Sequence, residues 1–94
     1  MAFFRIAPTA KQDLGRIYDY GARQFGIAQA DRYLAGLRTQ FEKIAGMPRI
    51  YPQDDIRENY RRCVYRSDVI YYREIEGGIE IMAVLGQQDR DQWL

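Results

Sequence analysis

The sequence of 94 residues contains no histidine and a single cysteine, Cys63. Without histidine the chain lacks the commonest general base of enzymes and the commonest metal ligand, and no phosphate-binding glycine loop is present. We therefore expect neither a metal nor a cofactor. A lone cysteine excludes a disulfide within the chain, which fits a reducing compartment and predicts a cytoplasmic location.

The chain also lacks long apolar runs and a strong excess of charge. No apolar stretch approaches the roughly 20 residues that span a bilayer, and the apolar start is too short for a secretory signal, so we expect no membrane association. The net charge is +1, which excludes a uniformly basic surface but leaves a local basic patch open. We expect no direct sequence-specific binding to nucleic acid. The length fits one domain, 1–94, of modest stability, which a protein partner would increase.

Hydrophobic periodicity indicates one short strand followed by two amphipathic helices. The predicted elements are a strand at 3–7 and helices at 10–25 and from 27 or 28 to about 45. Thr9 with Gln12 three residues later forms a capping-box pattern at the start of the first helix. Because Gly26 separates the helices by so few residues, they are predicted to pack as an antiparallel hairpin.

The second half of the chain has the alternating pattern of β-strands. The predicted strands are 60–66, 69–75 and 79–85, joined by turns at 66–68 and 76–78 into an antiparallel meander. Both faces of 69–75 are apolar, which places that strand at the centre of the sheet. In the last strand, the shared apolar face that should lie on the helices is formed by Ile79, Ile81, Ala83 and Leu85. The order β-α-α-β-β-β predicts an α+β fold, a helix hairpin packed on a small antiparallel sheet, with the strand order left open.

Several short strings, in a fixed order, carry a family resemblance. They are Arg62-Cys63-Val64, Ser67-Asp68, Val69-Ile70-Tyr71-Tyr72-Arg73, Gly77-Gly78 and Val84-Leu85, preceded by Ile6, Pro8, Ala10, Asp13, Leu14 and Ile17. In this order they resemble the RelE/ParE superfamily of bacterial toxins, and within it the ParE branch, over nearly the whole chain. One departure is Gly86, where many relatives have histidine. This departure concerns the contact with the target and leaves the fold unaffected.

The resemblance implies the toxin of a type II toxin–antitoxin module. ParE-like toxins are similar to RelE in fold but poison DNA gyrase instead of cleaving messenger RNA. The antitoxin, encoded beside the toxin, folds a disordered C-terminal part across the toxin's helices and sheet. We therefore expect a hetero-oligomer with a cognate antitoxin, DNA gyrase as the target, and action by binding, without catalysis.

Two groups of residues are candidates for these contacts. The candidate target-binding residues lie in the polar tail and are Gln88, Asp89, Arg90 and Trp93; tryptophan is enriched at interface hot spots. The candidate antitoxin-binding residues are the helix aromatics Tyr18, Phe25 and Tyr33 and the strand arginines Arg62 and Arg66. Large aromatics on a small domain provide apolar contact area, and an arginine-rich strand fits an acidic partner.

Two other functions stay open at this point. A RelE-like messenger-RNA endoribonuclease would need cations at the scissile phosphate and a proton donor, which Arg61, Arg73 and Tyr72 could supply. Asp89 and Asp91 weigh against it, because carboxylates near the end of the chain would repel phosphate. The third reading is a non-toxic binding protein of the same fold.

Overall fold

The computed structural model describes residues 3–86, and their elements follow the predicted order with one short addition. The elements are β1 (Phe3–Ile6), α1 (Pro8–Phe25), α2 (Ile27–Gly46), β2 (Gln53–Asp54), β3 (Tyr60–Tyr65), β4 (Asp68–Ile75) and β5 (Gly78–Gly86). The two-residue strand β2 is the addition, in a segment predicted as loop. The α+β architecture, a helix hairpin packed on a small sheet, is confirmed.

The five strands form one sheet in the order β1-β5-β4-β3-β2. β4 is central, as its two apolar faces predicted. The sheet is not wholly antiparallel, however, because β1 runs parallel to β5 along its edge. The other strand pairs are antiparallel. A local apolar pattern carries no information about the direction of a distant partner strand, so the sequence could not specify this pairing.

The first helix begins differently from the prediction. It starts at Pro8, and its N-cap residue, Ala7, makes no side-chain capping hydrogen bond. Proline suits the first helical position because its φ is already helical and its missing N–H would have no partner there. The Thr9 hydroxyl instead donates to the carbonyl oxygen of Met82 at 3.0 Å, so it joins α1 to β5. The capping-box prediction was therefore wrong.

A β-bulge at Met82 corrects the prediction for the last strand. Tyr71 pairs with Ala83 and Tyr72 pairs with Ile81, so Met82 is the extra residue on β5. An extra residue reverses the alternation of side chains beyond it. Ile79 and Ile81 face the helices as predicted, but Ala83 and Leu85 do not. They pack on the opposite face of the sheet in a second apolar cluster with Ile56, Val69 and Tyr71.

The main core lies between the hairpin and the sheet. Its buried members from the helices are Ala10, Leu37, Phe41, Ile44 and Ala45, and those from the strands are Cys63, Ile70, Tyr72, Ile79, Ile81 and Val84. Ile17 and Tyr33 of the helices pack against this core, whereas Tyr20 and Phe25, nearer the tip of the hairpin, are exposed.

Candidate partner-binding groove

The helix hairpin extends past the end of the sheet. α1 is fixed to β5 near Val84, whose backbone N–H donates to the Asp13 carboxylate at 3.0 Å and whose carbonyl oxygen accepts from Arg16 at 3.3 Å. From Arg16, α1 continues to Phe25, a further distance of about 13 Å at about 1.5 Å per residue. Within residues 3–86, β5 continues from Val84 for only two residues, to Gly86. In this described part of the chain, α1 therefore extends much farther past Val84 than β5 does.

A cavity of about 750 Å³ lies between this overhang and the end of the sheet. Its lining from the helices is Arg16, Ile17, Tyr20, Gly21, Phe25, Gln29, Ala30 and Tyr33, and from the strands and the β3–β4 turn Arg66, Ser67, Asp68 and Gly86. We call this the overhang groove. Its volume lies within the range of protein sites that take a ligand or an anchoring side chain.

The wall of the groove carries large aromatic side chains that the fold leaves uncovered. Tyr20 is 62% exposed and Phe25 is 61% exposed. Ile17, one turn before Tyr20, is half-buried and continues this apolar surface. Aromatic residues supply much of the energy of protein interfaces when a partner buries them. The wall is therefore suited to hold an apolar group of another molecule.

The floor of the groove is formed by Tyr33 and Asp68, which are hydrogen-bonded to each other. The Tyr33 hydroxyl donates a short hydrogen bond to the carboxylate of Asp68, a residue only 9% exposed. Burial and the neighbouring Asp68 carboxylate raise the pKa of Tyr33 well above its usual value, so the hydroxyl stays protonated and keeps donating. The Tyr33 ring also meets the Tyr65 ring edge to face at 5.5 Å between centroids. The floor therefore presents the Asp68 carboxylate with a hydrogen bond from Tyr33 already made.

Two arginines provide positive charge at the rim of the groove. Arg66 lies in the β3–β4 turn with a φ of 54°, and its guanidinium lies 5.7 Å from the centroid of the Tyr65 ring. Arg16 lies on α1, 3.6 Å from Asp13, with half of its side chain exposed. The groove thus combines an apolar wall, an anionic floor and a cationic rim.

Comparison with known proteins decides the family of this chain. Residues 4–90 match the sequence model of a family described as the ParE toxin of the type II toxin–antitoxin system parDE. The chain belongs to the ParE toxin family. Toxin ParE1 of Caulobacter vibrioides is 36% identical over 85 residues, which cover 89% of this chain and 88% of that protein. Toxin ParE1 of Mycobacterium tuberculosis is 33% identical over 87 residues, covering 90% and 89%.

The ParE fold is also found in a solved structure of the chromosomal ParDE TA system from P. aeruginosa. The superposition has a TM-score of 0.79 and covers 92% of this chain and 96% of that one, at 16% sequence identity. At this identity the likeness shows a shared fold. The resemblance inferred from the short strings is thereby confirmed for both the family and the fold.

The structure brings together three of the five residues predicted to bind the antitoxin of this ParE protein. Phe25, Tyr33 and Arg66 all line the overhang groove. Tyr18 lies elsewhere on α1, where its hydroxyl donates to Asp31 at 2.9 Å and links the two helices. Arg62 points to the opposite face of the sheet, where it donates to Asp54 at 3.0 Å.

Arg16, Tyr20 and Asp68 also line the groove and were not among the predicted residues. Tyr20 follows Ile17 by three positions, the spacing of neighbours on one helix face, so a wider apolar stripe would have included it. Asp68 belongs to a string that carries the family resemblance, but nothing in the sequence marks it as a groove residue, because its role depends on Tyr33, 35 residues away along the chain.

The residues of the alternative ribonuclease reading do not all share a surface, although Arg61 and Tyr72 are paired across β3 and β4. Tyr72 is buried in the main core, where its hydroxyl donates to the Pro48 carbonyl at 2.6 Å and burial raises its pKa. Arg61 is directed to the loop carbonyl of Tyr51 at 2.7 Å. Arg73 lies on the opposite face of the sheet and binds Glu80 at 2.6 Å. A scissile phosphate could not contact all three as they are placed.

Two further observations concern only residues 3–86. They contain no group of three or more histidine, cysteine, aspartate or glutamate side chains placed to hold a metal ion. Within the same range neither helix has the length and apolar character needed to cross a membrane. The predicted target-binding residues Gln88, Asp89, Arg90 and Trp93 lie outside the described range.

Proposed function

We propose that this ParE family member is a growth-inhibiting cytoplasmic toxin that poisons DNA gyrase by binding and is neutralised by a cognate antitoxin seated in the overhang groove. The observation that carries the antitoxin part is the groove itself, with Tyr20 and Phe25 uncovered beyond the end of the sheet. The small domain would gain stability when a partner buries that surface.

Action by binding is supported by the placement of the candidate nuclease residues. Tyr72 is enclosed in the core and Arg73 lies on the other face of the sheet. One RNA phosphate therefore could not contact both side chains as they are placed. Membership of the ParE family favours gyrase as the target. The tail from Gln88 to Trp93 is the proposed contact with gyrase, since tryptophan and arginine are frequent interface anchors.

The direct test is a gyrase assay with the purified, antitoxin-free protein on supercoiled and relaxed plasmid DNA. We expect loss of supercoiling activity and accumulation of linear DNA linked covalently to gyrase. Transcript integrity is measured in cells expressing the toxin from an inducible promoter. Unaffected gyrase at excess toxin would overturn the gyrase proposal, and cut transcripts would then support the ribonuclease. Normal growth of those cells would favour the non-toxic binding protein.

Removing the tail after Gly86 is expected to separate the two activities. The truncated protein should lose gyrase poisoning but bind the antitoxin with unchanged affinity, because it keeps the groove residues Phe25, Tyr33 and Arg66. Plasmid supercoiling and calorimetric titration with the antitoxin measure the two effects, and circular dichroism checks the fold. Full poisoning by the truncated protein would show that the tail is not the target contact.

Replacing Phe25 with alanine is expected to have the opposite effect. Loss of an aromatic anchor should weaken antitoxin binding by about 30-fold, or about 2 kcal/mol, while gyrase poisoning persists. Ile27→Ala is the matched control, because Ile27 lies two residues away, is 65% exposed and does not line the groove. Equal affinities of the two variants would place the antitoxin elsewhere on the toxin.

A further inference from the structure

We infer that the overhang groove selects a partner segment that places an apolar side chain against the wall and a carboxylate at the rim, facing Arg66. This inference rests on the proposed function, since it specifies the chemistry of the antitoxin segment in the groove. It also specifies how the two partner groups are arranged: the apolar side chain lies inside the groove and the carboxylate lies at its rim. The charges that impose this order lie on three different elements of the fold.

The rim favours an anion because its guanidinium groups keep donors available. Arg66 forms no ion pair within residues 3–86, and its guanidinium lies over the face of the Tyr65 ring. Arg16 gives one N–H to the Val84 carbonyl and lies at 3.6 Å from Asp13. A guanidinium carries five N–H donors in a planar fork that matches a carboxylate. A partner carboxylate at the rim would therefore meet two cations.

The floor excludes a second anion. Asp68 is 9% exposed and lies at the bottom of the groove with its carboxylate closed onto the Tyr33 hydroxyl. Like charges repel more strongly where water does not screen them. A carboxylate that entered the groove would meet this repulsion, whereas an apolar side chain would pack on the Tyr33 ring and the aromatic wall. The interior of the groove therefore favours an apolar side chain over a carboxylate.

This arrangement gives selectivity as well as affinity. A segment with a basic residue at the same place would be repelled by Arg66 and Arg16 at the rim. Specific interfaces commonly combine an attractive contact for the correct partner with a repulsive one for others. We therefore expect non-cognate antitoxins that lack the acidic residue next to the apolar anchor to bind more weakly.

Charge reversal at Arg66 tests the inference. The probe is the purified protein encoded by the open reading frame next to the gene of this chain, titrated by calorimetry into the full-length toxin. Arg66→Glu is expected to weaken binding by at least about 30-fold, because a reversed charge at the rim slows association and sets two like charges against each other. The matched control is Arg32→Glu, on exposed α2 surface outside the groove, which should change affinity less than about threefold. Arg66→Gln, which removes the charge without reversing it, should be intermediate.

Rescue identifies the partner group. Each aspartate and glutamate of the antitoxin is changed singly to lysine and titrated against the Arg66→Glu toxin. One such change should restore most of the affinity, and the same change should weaken binding to the unaltered toxin. If Arg66→Glu and Arg32→Glu bind equally well, or if no lysine variant restores affinity, the inference is overturned. If the unaltered toxin does not bind the antitoxin at all, the proposed function itself fails.

Discussion

The Gly78→Ala protein is expected to be destabilised by at least about 3 kcal/mol, the upper part of the usual cost of overpacking. A β-carbon on Gly78 would overlap the backbone carbonyl oxygen of Phe3, the residue that pairs with it across the β1–β5 edge. A backbone atom cannot turn aside as a flexible side chain can, so β1 would have to move away from the sheet. Movement of β1 would also loosen Phe4 and Ile6, which pack against the main core.

Thermal unfolding measures this effect. A loss of about 3 kcal/mol should lower the Tm by roughly 12–24 °C in a domain of this size. Gly15→Ala is the matched control, because Gly15 is exposed on α1 and a β-carbon there would meet no atom within 4 Å. The control should raise stability by roughly 0.5–1 kcal/mol through better helix propensity. A Gly78→Ala protein as stable as the unaltered chain would contradict the assigned β1–β5 register.

Replacing Arg62 with alanine is expected to cost about 2 kcal/mol of stability and to leave antitoxin affinity unchanged. Arg62 donates to Asp54, whose side chain is fully buried. The same carboxylate accepts the backbone N–H of Ile56 at 2.7 Å, and Ile56 covers the second apolar cluster. Removing a cation from a buried carboxylate is costly because the remaining charge loses one of the groups that compensate it. The expected loss of stability is smaller than for a fully buried ion pair because 41% of the Arg62 side chain is exposed to solvent.

Arg49→Ala provides a close comparison for Arg62→Ala. Both arginines lie 3.0 Å from a carboxylate oxygen, but the Glu74 partner of Arg49 is 40% exposed. Solvent screens an exposed pair, so Arg49→Ala should cost much less stability than Arg62→Ala. Urea unfolding of both variants gives the comparison. Equal stabilities would mean that burial of Asp54 does not strengthen its pair. If the Arg62→Ala protein folds but binds the antitoxin more weakly, Arg62 belongs to the antitoxin-binding surface.

These two substitutions and the groove variants divide the molecule by role. Gly78 and Arg62 act through the fold, on the β1 edge and on the face of the sheet away from the helices. Phe25 and Arg66 act through the overhang groove, on the opposite side of the core. A loss of antitoxin binding in a groove variant that keeps the stability of the unaltered chain therefore reports on recognition and not on folding.

The sequence by itself determined the local structure and the family. Apolar spacing predicted both helices, Gly26 marked their boundary, and alternation predicted β3, β4 and β5 to within one residue at either end. These features depend on neighbours along the chain, whose side chains share a face through helical or strand periodicity. The ParE resemblance came from the strings between Arg62 and Leu85. Their residues and their order can be recognised along the chain without knowledge of the tertiary contacts.

The tertiary structure alone decided where those elements meet. Thr9 suits a cap, but its hydroxyl bonds to Met82, and the bulge at Met82 turns Ala83 and Leu85 to the opposite face. The groove follows from how far α1 extends beyond the point where Asp13 and Arg16 bind Val84. Its floor joins Tyr33 to Asp68 across 35 residues. Such contacts depend on the relative position of distant segments, which side-chain periodicity does not encode.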